Sequence, residues 1–154
     1  MAHQHQQGGQ HHYHHLGIMT ALSFIAMYIL MYAMVNSFGD VFNNVNQVYM
    51  AGLMAAPMVL IELGVMRGMY ADRRKNIIIA AISVVALIAF FLLIRQQVAV
   101  TDRQFLRSMI PHHSGAILMC RNATITSPEI RELCRTIIAG QEKEINQMKA
   151  LLDR

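Results

Sequence analysis

LGIMTALSFIAMYILMYAMV, residues 16–35, carries no charged side chain. A helix rising 1.5 Å per residue needs about 20 apolar residues to cross roughly 30 Å of hydrocarbon, and this run supplies them. Two more runs follow: VYMAGLMAAPMVLIELGVM at 48–66, interrupted by Pro57 and holding Glu62, and IIIAAISVVALIAFFLLI at 77–94, closed by Arg95. Lipid leaves backbone polar groups no partner outside the segment, so each run reads as a spanning helix and the expected fold class is all-α. At 55% hydrophobic and 14% charged residues, the chain is more apolar than an ordinary soluble domain.

Charge sets the expected orientation. The loop NSFGDVFNNVNQ at 36–47 has no Lys or Arg, whereas Arg67, Arg73, Arg74 and Lys75 separate the second and third runs. Positively charged loops stay on the cytoplasmic side. Three crossings then leave the amino terminus inside and everything after Arg95 outside, which in a Gram-negative bacterium means an inner-membrane protein with a periplasmic end. Arg103 and Arg107 pull weakly the other way. These flanking cations account for the net charge of +4, so the partner it implies is membrane lipid, with no nucleic acid. Residues 1–15 form a Gln, Gly and His tract without Lys or Arg, unlike a signal peptide, and are expected to be disordered. Of its histidines, His11, His12, His14 and His15 offer weak metal sites, since clustered imidazoles raise local ligand concentration; a merely solvated tail is the equal alternative.

The end of the chain reads as a helical hairpin over residues 101–154. Thr101 and Gln104 have capping-box spacing, and Pro111 removes an amide donor and predicts a kink before the His pair. In the turn TITSP at 124–128, Ser127 can cap and Pro128 suits the first position of the returning helix. Such a hairpin is too small to bury a core alone, so it should pair with a copy of itself as half of a four-helix bundle or lie against the membrane part.

The hairpin concentrates donors. DRQFLRSMIPHHSGAILMC at 102–120 holds Met109, His112, His113, Met119 and Cys120, and the returning helix brings Cys134, Gln141, Glu142, Glu144 and Met148. With Cys120 opposite Cys134, antiparallel register sets His113 near Gln141, His112 near Glu142, and Met109 near Ile145. Met109 and His113 share a face, while adjacent His112 and His113 diverge by about 100° unless Pro111 relaxes the helix. Met119 needs a second site or a dimer partner. Imidazole with thioether suits Cu(I), and Cu(II) through nitrogen, with zinc left open. The competing reading makes the methionines core and the His pair a structural feature of the kink. For Cys120 and Cys134 a disulfide leads, thiolate ligation comes second and inert thiols third.

MIPHHSGAILMC, with Gln141, Glu144, Ile145 and Met148, resembles the domain-of-unknown-function 305 (DUF305) family over about residues 102–152. The resemblance implies a ferritin-like helical fold, a copper-associated role for Met109, His112, His113, Met119 and Met148, and a half-domain completed by dimerisation. Cys120, where the family usually has Ala, and Cys134 depart from that pattern. The expected function is membrane-anchored copper binding, sequestration or handover to copper-handling proteins. One alternative is copper transport by an oligomer of the three spans, lined by Met27, Met31 and Met34 or by Met50, Met54 and Met58, with Gly64 and Gly68 as a close-packing motif. The other is a metal-free interaction module. The cysteines are not in CxxC spacing and no acid–base constellation appears, so no enzyme activity is expected.

Overall fold

Apolar runs of this length form helices because nothing else satisfies the backbone, and the computed structural model of the chain shows five. It describes the backbone of residues 2–154 and the side chains of residues 11–154. The helices are α1 (Ala2–Leu30), α2 (Val45–Val65), α3 (Arg73–Gln96), α4 (Asp102–Asn122) and α5 (Pro128–Leu152), with 3-10 turns at Met31–Met34 and Phe38–Asp40. There is no strand among the described residues. Three stretches are long and apolar enough to cross a membrane: His11–Met34, Val45–Val65 and Arg73–Gln96. Pro57 lies inside α2 without ending it.

The expectation of a disordered tail is corrected from His11 onward. His11, His12, His14 and His15 sit on α1, since extending an existing helix is cheap and the tract contains no proline to stop it. The side chains of His3 and His5 lie outside the described residues.

Two compact units divide the chain. In the first, residues 1–30 and 48–98, α2 buries a small-residue face of Ala51, Gly52, Ala55 and Ala56, then Val59 and Leu63. A Cβ on Gly52 would lie 2.4 Å from the Phe90 ring, so glycine permits the α2–α3 approach. Within the chain Gly64 and Gly68 meet no neighbour within 4 Å of a Cβ position, and α2 ends at Val65, between them. Glu62 accepts a hydrogen bond from the Tyr70 hydroxyl (3.3 Å) rather than pairing with Arg67, which donates to the Gly64 carbonyl. Asp72 caps α3 by accepting from the amides of Arg74 and Lys75. The Lys75 amide, reinforced by the Lys75 charge, holds the Asp72 carboxyl below the usual carboxylate range.

The second unit joins residues 31–47 to residues 99–154. Its core is Ile110, Ile117, Ile145, Met148 and Leu152, with Phe42, Leu106, Met109 and Ile138 packed against it. Phe42 comes from the polar loop after the first span, so the hairpin has a lid from its own chain as well as the faces expected to meet a second copy.

Both caps form where the sequence places them. Ser127 accepts from the Ile130 amide with Pro128 at the start of α5, and Thr101 accepts from the Gln104 amide. The capping box is only half made, because the Gln104 side-chain oxygen accepts from the Val45 amide (3.0 Å) and so ties α4 to the start of α2. Replacing Thr101 by Ala should cost about 1 kcal/mol locally, which is roughly fivefold faster amide exchange in the first turn of α4. Unchanged exchange there would show the cap to be idle.

Candidate metal centre

Pro111 stays within α4, whose helix continues to Asn122, so His112 and His113 remain successive positions of one helix and face different ways. His113 therefore turns inward and His112 outward. The His113 ring is fixed at both nitrogens: Nδ1 lies 2.9 Å from the Met109 carbonyl oxygen and Nε2 lies 2.8 Å from Glu144 Oε2. Since a carbonyl oxygen only accepts, Nδ1 carries the proton in that contact. Nε2 faces a carboxylate, which also only accepts, so this nitrogen would ligate a metal only by giving up that contact. Glu144 remains mostly exposed while the His113 side chain is mostly covered. One turn before Glu144 on the same side of α5, the Gln141 Oε1 atom is buried and has no hydrogen-bond partner.

The other expected donors do not join this point. His112 is exposed, its ring centroid 6.1 Å from that of His113. Met119 is 53% exposed, too open to belong to a shared inner shell. Met109 and Met148 pack in the hydrophobic core. The expected convergence of both imidazoles with Met109 is thus not formed, because adjacent helical residues diverge and Pro111 leaves the helix continuous. Among the described residues no group of three His, Cys, Asp or Glu side chains is placed to hold an ion. What remains is one imidazole nitrogen, one carboxylate and one unpartnered amide oxygen, a donor set that fits a borderline divalent ion such as Cu(II) or Zn(II) better than Cu(I).

Cys120 and Cys134 form a disulfide with Cα atoms 5.3 Å apart, so they are not thiolate ligands in this state. Of the methionines proposed to line a transport path, Met50 and Met54 are exposed, on the side of α2 away from its buried small-residue face. Walls for such a path would have to come from further copies.

A second polar cluster escaped the sequence reading. Asp40 is buried, accepting from the Ser114 hydroxyl (2.6 Å) and from Lys149 Nζ (2.6 Å), while Ser114 in turn accepts from the Asn36 amide (3.0 Å). The loop can approach because residue 115 is glycine: a Cβ there would lie 3.3 Å from the Met34 carbonyl oxygen.

Three membrane-length helices joined to a disulfide-linked hairpin define the class: an all-α chain with a compact helical module beyond the last apolar helix. Residues 91–152 match the family model described as "Domain of unknown function (DUF305)". The chain is also 36% identical over 140 residues to "Uncharacterized protein L153" of Acanthamoeba polyphaga mimivirus, covering 88% of this chain and 90% of that protein. The chain belongs to the DUF305 family, and the relative extends the likeness through the apolar helices. No solved structure matches.

Proposed function

We propose that this chain is a membrane-anchored copper-binding protein that holds a divalent ion at His113 and Glu144, with Gln141 as a third donor, and passes it on. The observation that supports it is the combination of an imidazole held by its Nδ1 on a backbone carbonyl, a carboxylate at its Nε2, and a buried amide oxygen left without a partner nearby on the same helix face. A buried unsatisfied oxygen costs about 1–3 kcal/mol, a cost that a ligated ion removes. Few protein donors leave open coordination positions, which suits exchange rather than permanent storage. In a bacterial host the arginine-rich loop would face the cytoplasm and the hairpin the periplasm of the inner membrane. A second copy docking on the hairpin as a four-helix bundle, bringing its own His112 or Met119, would complete the shell.

The competing function, a metal-free interaction module, draws on one observation: both His113 nitrogens already face protein oxygen atoms. Copper titration separates the two. The full chain in detergent, with His11, His12, His14 and His15 replaced by Gln to silence the tail, should bind Cu(II) with nitrogen hyperfine structure in its paramagnetic resonance spectrum. His113→Ala should weaken binding roughly 10–100-fold, and Gln141→Leu by a smaller factor. Equal affinity with and without the His113 ring would favour the metal-free module.

A further inference from the structure

The Cys120–Cys134 disulfide lies at the turn end of the hairpin and lines a pocket of ≈ 250 Å³. Two guanidinium groups, Arg131 and Arg135, share that pocket, one helical turn apart on α5 and flanking Cys134. Ala123, Ile125 and Ile138 supply its apolar wall. Arg135 is paired with Glu132 at 2.7 Å, but Arg131 spends its hydrogen bond on the neutral Thr126 carbonyl and has no carboxylate partner among the described residues. Of the nearby carboxylates, Glu142 pairs with Arg121, and Glu129, which accepts from the neutral Ser127 hydroxyl and keeps its charge, does not line the pocket. The charged groups lining the pocket beside the sulfur–sulfur bond are thus both guanidinium groups.

We infer that this pocket is a docking site for a negatively charged low-molecular-weight thiol, which exchanges with the Cys120–Cys134 disulfide. The attacking species in thiol–disulfide exchange is an anion, and the leaving sulfur departs as another. Guanidinium charge lowers both barriers, by drawing the incoming thiolate in and by stabilising the thiolate released. The incoming sulfur bonds to one cysteine sulfur as the bond between the two cysteines breaks, and the other cysteine leaves as a thiolate that takes a proton from water. A second thiol then attacks the mixed disulfide. The second cysteine is released, and the two small thiols leave as their own disulfide, having given two electrons to the cystine. This inference is independent of the copper reading, since His113, Gln141 and Glu144 are not among the residues lining the pocket.

The test compares reduction of the full chain in uncharged detergent by 2-mercaptoethanesulfonate, an anion, and cysteamine, a cation. Free cysteines are counted by maleimide mass shift, and each rate is corrected for the thiolate fraction of its reagent. At low ionic strength the anionic thiol should react about fivefold faster or more, and the ratio should fall towards one in about 0.5 M salt. The pair Arg131→Gln and Arg135→Gln should abolish the preference. A charge-matched control, Arg103→Gln with Arg154→Gln, should keep it. A ratio near one in the native chain overturns the inference, as does a ratio unmoved by the pocket substitutions or one lost equally in the control. The salt dependence of the native chain decides the matter even where a variant fails to fold.

Discussion

Replacing Asp40 by Ala is expected to destabilise the unit of residues 31–47 and 99–154 by about 3 kcal/mol, with the loop released first. The size follows from what is left behind. The Ser114 hydroxyl is fully buried and loses its acceptor, and Lys149 loses its counter-charge. Removing one partner of a buried pair typically costs about 3–5 kcal/mol. The Lys149 side chain is 34% exposed and can swing its charge to water, which puts the expectation at the lower end of that range. Asp40→Asn, which keeps an acceptor for Ser114 but loses the charge, should fall between native and Ala. Limited proteolysis distinguishes a local effect from a global one: cleavage should appear within residues 36–44 of the Ala variant while α4 and α5 stay resistant. A native cleavage pattern and an unmoved denaturation midpoint would mean that the carboxylate contributes nothing and that Phe42 packing with the Asn36–Ser114 and Val45–Gln104 hydrogen bonds holds the loop.

The contrast between Asp40 and the membrane helices shows what the sequence makes legible. Apolar runs announce spans by length alone, and the caps at Thr101 and Ser127 are written within three residues of the positions they cap, so both could be read directly. The disulfide follows in the sequence from the compartment expected for the hairpin, outside the cytoplasm where thiols oxidise, and in the structure the bridge joins two residues 14 apart across the turn. Asp40 had no such local mark. Its partners are 74 and 109 residues away, and the signals available were indirect: the single carboxylate in an otherwise uncharged loop, and the small pair Ser114 and Gly115 where a helix must admit another segment. The site was legible only in part for a related reason. Register set His113 opposite Gln141, yet Glu144 takes the ring. Side chains on a helix lean towards its amino terminus, so a long residue one turn later reaches back over the position opposite. The convergence of His112 with His113 required a sharp break at Pro111, and α4 instead runs on through that mid-helix proline to Asn122.

Loss of the disulfide, in the paired variant Cys120→Ser and Cys134→Ser, should cost about 3 kcal/mol, the value for closing a loop of about 15 residues, and the loss should be unevenly distributed. The hydrophobic core of the hairpin is weighted towards its other end, at Ile110, Ile145, Met148 and Leu152, with Ile117 its member nearest the disulfide. Around the turn, Ile130 and Leu133 are exposed and Ile125, Ile137 and Ile138 are only partly covered, so the covalent link supplies constraint where burial supplies little. Amides between residues 118 and 138 should therefore exchange roughly 100-fold faster in the variant, while those near residues 110 and 148 change far less. Uniform acceleration along α4 and α5 would instead show that the hairpin unfolds as one cooperative unit and that the link stabilises all of it. Should the graded pattern hold, the His113–Glu144 pair marks the join between the two regimes, one turn beyond Ile110 on α4 and beside Ile145 on α5. Reduction would then loosen the turn end while the core continues to set the imidazole–carboxylate distance from the other side.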